Sequence, residues 1–293
     1  MTHRIERGPG WSMHLGRWQD ALAHVTECDA LITDPPYSER THTAYREMAE
    51  VGRAAIGYAS FDGDAVRELV GHWSPRARGW LAVMCDHGLA PEYEAAAEDA
   101  GRYAFAHLAC VEIGSRVRLS GDGPCQWSVW LMVSRPRTRE AQKWGALPGA
   151  YVVQPGDGWR GGVSSGARSG VTGGKPLWLM RAIIRDYTRP GDLVVDPCAG
   201  GGTTLLAAVM EGRRAIGAEM DPATFGKAVA RLRKGYTAPL FSDAPARMEQ
   251  TGLSFPVEPE PAYEPIDREP ERPGYTDDEL CAIEMVSRME ARA

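Results

Sequence analysis

Residues 192–219 read DLVVDPCAGGGTTLLAAVMEGRRAIGAE and place a glycine turn and a helical stretch between two short strands. A short apolar run such as LVV is typical of a buried strand. Pro197 must end that strand because proline has no N–H for a sheet ladder, so Asp196 is left at its carboxyl end. The consecutive glycines Gly200 to Gly202 let the backbone turn tightly into a helix and approach a small ligand closely.

The rest of the chain shows the same alternation of strands and helices. Strands are predicted at about 29–33, 80–85, 104–113, 126–134, 192–197 and 215–222. Helices are predicted at about 65–73, 91–102, 176–188, 203–213, 223–235 and 276–292. Strands that alternate with helices favour an α/β fold with a doubly wound sheet.

Three segments are predicted to lie outside this pattern. Residues 38–63 are polar and weakly periodic, which indicates a variable loop or lid, and residues 151–176 are so rich in Gly and Ser that a loop is expected. The tail from about 240 combines many acidic residues with seven prolines, which favours an extended segment before the last helix.

Bulk composition describes an ordinary globular chain of 293 residues, with 43% hydrophobic and 25% charged residues. No stretch approaches the roughly 20 apolar residues of a membrane helix, and the N-terminus lacks the apolar middle of a signal peptide. The six cysteines show no pair or histidine partner at zinc spacing, so no metal is expected. Buried, reduced thiols in a cytoplasmic protein are the expectation. The cysteines are Cys28, Cys85, Cys110, Cys125, Cys198 and Cys281.

The net charge of −6 conceals an uneven distribution. Residues 113–190 contain twelve Lys or Arg against four Asp or Glu, whereas residues 254–293 contain four against eleven. The basic middle is either a solvated face or a surface for a polyanion, and charge alone leaves both open.

A second motif stands at residues 31–38, LITDPPYS. The apolar run must stop at Asp34, because Pro35 and Pro36 cannot donate to a ladder. A carboxylate, two proline carbonyls and the ring of Tyr37 therefore project from the edge of the sheet. A turn that merely ends a strand is the alternative for this tetrapeptide taken alone.

Asp34-Pro35-Pro36-Tyr37 together with the sequence DPCAGGGTT resembles the DNA amino-methyltransferases, which methylate adenine N6 or cytosine N4. The order, with DPPY first and the glycine motif some 160 residues later, resembles the permuted beta group of that family, as does Lys175-Pro176 before the cofactor strand. The similarity covers about residues 12–235. Cys198 and Gly201 depart from the aromatic residue and the serine that the family usually has.

This resemblance implies a Rossmann-like methyltransferase fold, with a mostly parallel sheet that includes an antiparallel strand and with loop-rich target-recognition insertions. Residues 1–37 and 64–112 would form the catalytic half, and residues 175–240 the cofactor-binding half. The variable loop at 38–63, a basic target-recognition region at 113–174 and the acidic tail at 241–293 complete the expected domains.

The implied chemistry assigns roles to the DPPY motif. The carboxylate of Asp34 and the carbonyl of Pro35, held rigid by Pro36, would accept the two N–H bonds of a base amino group and direct its lone pair towards a methyl sulfonium. Tyr37 would stack on a base that has been flipped out of the duplex.

S-adenosylmethionine is the implied cofactor, and double-stranded DNA is the implied partner. Glu219 would hold the ribose diol, although a mere strand-end acid is the alternative. Thr203 could cap its helix instead, and Lys175 could be a surface lysine. The implied cofactor residues are Lys175, Asp196, Pro197, Cys198, Ala199, Gly200, Gly201, Gly202, Thr203 and Glu219. The implied DNA-contacting residues are Arg116, Arg118, Arg160 and Arg168.

Adenine N6 is favoured over cytosine N4 because Asp, rather than Ser, precedes Pro-Pro-Tyr, which is a tendency within the family. Methylation of RNA bases or of a glutamine side chain is an alternative, but those enzymes typically place the cofactor motif first. A catalytically idle DNA-binding protein on the same fold is another alternative, and the departure at Cys198 gives it weight. Members of the family are often dimers, so a homodimer is among the expectations.

Overall fold

The computed structural model describes residues 4–43, 58–112, 127–138, 141, 144–153 and 174–235. They belong to one compact unit of the chain, Met1–Thr237. Expectations for 44–57, 113–126, 154–173 and the acidic tail fall outside these residues. None of the helices in the described part of the chain combines the length and the apolar composition that a membrane span requires.

Ten strands and six helices lie entirely within these ranges. The strands are β1 Ile5–Gly8, β2 Trp11–Leu15, β3 Ala30–Thr33, β4 Leu81–Cys85, β5 Arg102–Ala104, β6 Leu108–Glu112, β7 Ser128–Pro136, β8 Ala150–Val153, β9 Leu193–Asp196 and β10 Arg214–Glu219. The helices are α1 Trp18–Ala21, α2 Gly63–Trp73, α3 Ala90–Asp99, α4 Leu177–Tyr187, α5 Thr203–Met210 and α6 Pro222–Lys234.

All ten strands form one sheet in the order β1-β2-β10-β9-β3-β4-β7-β6-β8, with β5 paired to β7. Strand β7 runs antiparallel to β4, β5 and β6, and β1 runs antiparallel to β2. The remaining pairs are parallel. The expected mostly parallel sheet with an antiparallel strand is therefore confirmed.

Helices cover both faces of the sheet, as a doubly wound fold requires. One core contains side chains of α4, α5 and α6, and the other contains side chains of α1, α2 and α3. Along β3, Ala30 and Ile32 enter the first core while Leu31 enters the second. The pleat thus buries successive residues on opposite faces, which is why the run reads as continuously apolar.

Several predicted boundaries differ from the structure. Within the predicted loop at 151–176, residues 151–153 belong to strand β8, which pairs with β6. The predicted strand at 104–113 is divided into β5 and β6. In the predicted loop at 38–63, residues 39–43 are helical and Ser38 forms a bridge with Phe61. The range 113–174 also includes β7 and β8, which belong to the sheet.

The hairpin of β1 and β2 has no counterpart among the predicted elements. It pairs through β2 with β10, and Leu15 lies opposite Glu219. The hairpin thereby converts β10 from an edge strand into an interior strand of the sheet. This position matters because β10 ends beside the glycine turn.

Candidate active site

The two motifs meet at the carboxyl ends of two adjacent strands. Strands β3 and β9 run parallel and pair through Ala30 with Val194 and through Leu31 with Val195. The Thr33 hydroxyl donates a hydrogen bond of 2.6 Å to Oδ1 of Asp196, although 163 residues separate them in the chain. In an open α/β sheet, ligands bind at this edge.

Asp34 is held at both carboxylate oxygens. The Tyr37 hydroxyl donates to Oδ1 at 3.0 Å, and the Lys175 ammonium donates to Oδ2 at 2.7 Å. The Lys175 nitrogen also lies 4.9 Å from the centroid of the Tyr37 ring, within cation–π range. Burial, followed by the charge of Asp34, raises the pKa of Tyr37 well above its usual value, so its hydroxyl remains a donor.

The glycine turn, residues 197–202, depends on backbone conformations that only glycine adopts without strain. Gly200 and Gly202 have φ angles of 49° and 72°. The Ala199 amide donates to the Ala218 carbonyl at 2.9 Å, which fastens the turn to β10. A Cβ on Gly217 of β10 would lie 2.8 Å from Cβ of Ala199, so this glycine gives the turn its space.

Asp196 is 1% exposed, and its carboxylate is directed inward. Oδ1 accepts from the Cys198 amide at 3.1 Å in addition to the Thr33 hydroxyl. Burial raises the pKa of Asp196 to about 6, although hydrogen bonds from Thr33, Thr204 and the Cys198 amide oppose this shift. These contacts indicate that Asp196 shapes the turn and links it to β3.

Arg231 of α6 supports the turn from behind, and no sequence pattern singles it out. Its guanidinium donates to the Gly201 carbonyl at 3.2 Å and to the Thr203 hydroxyl at 2.7 Å. Burial lowers the pKa of Arg231 to about 10, so the group remains charged at neutral pH. A partly buried arginine that binds a carbonyl and a hydroxyl fixes the geometry of the loop.

Glu219 lies at the carboxyl end of β10, where an acid can accept from a ribose diol. Its carboxylate accepts from the Asp221 amide at 2.7 Å, and burial raises its pKa above the usual value. The Gly16 amide donates to the Glu219 carbonyl oxygen at 2.9 Å, so the end of β2 fixes the backbone here.

Asp86, which follows β4 directly, is a further acid of this edge that the sequence analysis missed. Its carboxylate accepts from the Ser38 amide, the Ser38 hydroxyl and the Thr41 hydroxyl. The signal in the sequence is an acid directly after an apolar run, as at Asp34 and Asp196. No motif surrounds it, so the sequence alone did not single it out.

The structure brings most of the predicted site residues to one edge of the sheet. The DPPY motif, Lys175, Asp196 and the turn from Pro197 to Thr203 lie at the adjacent ends of β3 and β9, and Glu219 lies at the end of β10. Cys198 is partly buried, and burial raises the pKa of its thiol. Arg116, Arg118, Arg160 and Arg168 lie outside the described residues. Within the described ranges, no group of three His, Cys, Asp or Glu side chains could hold a metal ion.

Comparison with known proteins gives a consistent family of relatives. Residues 138–229 match the family model of the N6/N4 DNA methylases. A 58-residue stretch, 20% of this chain, is 47% identical to the type II methyltransferase M.HindIII of Haemophilus influenzae and covers 19% of that protein. The matched stretches span about a fifth of the length of the curated relatives.

Solved structures share the fold across most of the chain. The M1.HpyAVI–SAM complex has a TM-score of 0.55 at 20% identity and covers 76% of this chain and 98% of its own. The PvuII DNA methyltransferase, described as cytosine-N4-specific, has a TM-score of 0.52 at 14% identity, with coverages of 80% and 88%. The Rossmann-like fold expected from the sequence is thereby confirmed. The resemblance to the DNA amino-methyltransferases is confirmed by the family-model match over residues 138–229.

Proposed function

We propose that this protein transfers a methyl group from S-adenosylmethionine to the exocyclic amino group of a base in duplex DNA, with adenine N6 preferred to cytosine N4. The observation that carries the proposal is the contact between the two motifs. Asp34 and the glycine turn occupy adjacent strand ends, and the bond between Thr33 and Asp196 joins them.

The glycine turn and Glu219 fit the cofactor. A Cβ on Gly200 would meet no atom closer than 4.0 Å, so the turn leaves open space where a ligand could approach the backbone. Glu219 is half-buried at the adjacent strand end and could accept from the ribose hydroxyls. Bound S-adenosylmethionine would supply an electrophilic methyl group on a sulfonium centre.

The DPPY motif fits the amino group that accepts the methyl. A base amino group is a weak nucleophile because its lone pair is delocalised into the ring. Each carboxylate oxygen of Asp34 accepts one hydrogen bond from a side chain and retains capacity for another. One of them could accept a base N–H, and the Pro35 carbonyl could accept the second. Two acceptors favour a tetrahedral nitrogen whose lone pair faces the methyl group. As the N–C bond forms, the S–CH3 bond would break, S-adenosylhomocysteine would leave, and Asp34 would accept the proton released from the nitrogen.

Tyr37 and the basic middle of the chain are the parts proposed to contact duplex DNA. The target base must leave the helical stack, and the ring of Tyr37 offers a surface on which it can stack. Arg116, Arg118, Arg160 and Arg168 are proposed phosphate contacts because residues 113–190 carry a local excess of positive charge. The preference for adenine rests on Asp34 at a position where cytosine-N4 enzymes more often have serine.

The decisive experiment incubates the protein with labelled S-adenosylmethionine and unmethylated duplex DNA. The DNA is then digested to nucleosides, which are identified by mass spectrometry. N6-methyladenine supports the proposal, and N4-methylcytosine moves the target to the alternative base. DNA binding without label would support the idle protein instead, and Asp34→Ala serves as the control for residual contaminating activity.

A further inference from the structure

Asp86 forms a buried clamp on the chain that immediately follows the DPPY motif. Asp86 is only 3% exposed. Oδ2 accepts from the Ser38 amide at 3.0 Å, from the Ser38 hydroxyl at 2.5 Å and from the Thr41 hydroxyl at 2.5 Å. Oδ1 accepts from the Leu89 amide at 3.1 Å, one residue before α3.

A buried carboxylate costs free energy unless several donors satisfy it. In the part of the chain that the structure describes, no lysine or arginine forms an ion pair with Asp86. Burial raises the pKa of Asp86, but the hydrogen bonds from Ser38, Thr41 and the Leu89 amide outweigh it and hold the pKa below its usual value. The clamp is therefore a charged acceptor at neutral pH, with three of its four hydrogen bonds made to residues 38–41.

The position of the clamp determines what it controls. Ser38 follows Tyr37 directly, and the Tyr37 carbonyl accepts from the Phe61 amide at 3.0 Å. The Tyr37 hydroxyl is bound to Asp34 at 3.0 Å. Three anchors thus hold the tyrosine, and one of them is the contact of the next residue, Ser38, with Asp86, 48 residues further along the chain.

We propose that Asp86 is a positioning residue for Tyr37, which fixes the backbone at Ser38 and thereby holds the tyrosine ring as the stacking surface for the target base. This inference rests on the proposed function. A purely structural role, in which Asp86 serves only the first turn of α3 through Leu89, is the rival that the test must separate.

The test compares Asp86→Asn with the wild-type protein in methyl transfer and in cofactor binding. The amide removes the charge and leaves one acceptor oxygen for four donors. We expect kcat to fall about 10- to 100-fold, because small misplacements of reacting groups cause losses of this size. The Kd for S-adenosylmethionine should change less than about twofold. In a duplex with 2-aminopurine at the methylated position, the fluorescence increase on flipping should be reduced.

A second variant tests the same clamp from its other side. The double change Ser38→Ala with Thr41→Val removes both hydroxyl donors and leaves the carboxylate, the Ser38 amide contact and the Leu89 contact in place. If the clamp acts through residues 38–41, adding Asp86→Asn to this variant should lower kcat by a smaller factor than the same change does in the wild type, because groups that act as a unit are not additive. Full additivity of the two losses would overturn the proposal.

Asp62→Asn is the matched control. Asp62 is an exposed carboxylate that accepts from the Ala65 amide at 2.9 Å and caps α2, and within the described residues its side chain forms no hydrogen bond with residues 38–41. The Asp62→Asn substitution should lower the melting temperature slightly and leave kcat unchanged.

Hydrogen exchange in the free protein separates this inference from the proposed function. Amides of residues 37–41 should exchange faster in Asp86→Asn than in the wild type, whether or not any DNA is methylated. If these amides exchange faster in the variant but the wild type shows no methyl transfer, the proposed function is refuted while the structural role of the clamp stands. Unchanged exchange and kcat, with a lower melting temperature only, would assign Asp86 to α3 and overturn the positioning role.

Discussion

The ammonium group of Lys175 lies 2.7 Å from Oδ2 of Asp34, across 141 residues of intervening chain. Lys175 stands two residues before α4, and the sequence placed it with the cofactor residues. The structure brings it to the DPPY motif, where it also lies over the Tyr37 ring. The contact ties the start of the C-terminal half of the sheet to the acid proposed to bind the substrate.

Lys175→Met should therefore impair methyl transfer more than cofactor binding. The change leaves Asp34 with one side-chain donor fewer and removes the cation beside Tyr37, so we expect kcat to fall at least about tenfold. Losing a charge-assisted hydrogen bond should also lower the free energy of unfolding by about 1.5–3 kcal/mol. Calorimetry with S-adenosylmethionine and steady-state kinetics provide the measurement, and Lys227→Met, on the exposed face of α6, is the control. A large loss of cofactor affinity with kcat intact would restore Lys175 to the cofactor site.

Asp34→Ala should abolish transfer and preserve cofactor binding. It removes the acceptor for the base amino group, which is worth about 10²- to 10⁴-fold in rate. The glycine turn and Glu219 do not depend on this carboxylate for their hydrogen bonds. Isothermal titration should give a nearly unchanged Kd, and Asp99→Ala at the exposed end of α3 should behave as wild type in both assays. If cofactor binding disappeared in a folded protein, the division of roles between the two motifs would be refuted.

The pH dependence of stability should show the signature of Asp196. Its pKa is raised to about 6 in the folded protein by burial, from an ordinary value of 3.8. The folded state therefore binds more protons between these values, and the free energy of unfolding should fall by up to about 3 kcal/mol as the pH rises from 4 to 7. Denaturation of Asp196→Asn should lack this decrease.

Asp221→Asn gives a control of opposite sign. The hydrogen bonds that Asp221 receives from Thr224 lower its pKa, so its stabilising contribution is present at neutral pH and is lost on acidification. Wild type and Asp196→Asn with parallel pH profiles would show that Asp196 is not the group that titrates near 6.

Gly217→Ala should loosen the cofactor site from within the sheet. The added methyl would lie 2.7 Å from Cδ1 of Leu205 and 2.8 Å from Cβ of Ala199, so the turn or α5 must move. We expect a loss of about 1–3 kcal/mol in the free energy of unfolding, as for other overpacked cores, together with weaker cofactor binding. Thermal shift with and without S-adenosylmethionine measures both.

Gly226→Ala in α6 is the paired substitution. A Cβ there meets nothing within 4 Å, so the same chemical change should stabilise the protein slightly and leave cofactor binding unchanged. Equal effects of the two alanines would exclude crowding at Gly217 as the cause.

Proline made the two strand ends predictable from the sequence. Pro35 and Pro197 must each stop a strand, and β3 and β9 indeed end at Thr33 and Asp196. That these ends are neighbours followed from the family's motif order rather than from local pattern, since no local rule specifies which strands pair.

The errors have physical causes as well. The Gly- and Ser-rich composition beyond residue 154 dominated the interpretation of residues 151–153, which are strand because β6 pairs with them. In β2 the alternation of buried and exposed residues is broken by His14, which is 2% exposed and bonded to Ser12. Asp86 and Arg231 act through contacts between elements that are distant in the chain. Such contacts leave no recognisable pattern around either residue in the sequence.

The strand order also has a consequence for biosynthesis. Strands β2 and β3 are close in the chain but are separated in the sheet by β9 and β10, which are translated some 160 to 200 residues later. At ordinary elongation rates this delay lasts roughly ten seconds or more. During this delay, one edge of β2 and one edge of β3 in the emerging chain lack the partner strands of the finished sheet. Unpaired strand edges of this kind are prone to misassembly. Efficient production should therefore depend on chaperones that bind the unfolded chain at the ribosome. Expression of the first half alone should yield insoluble protein.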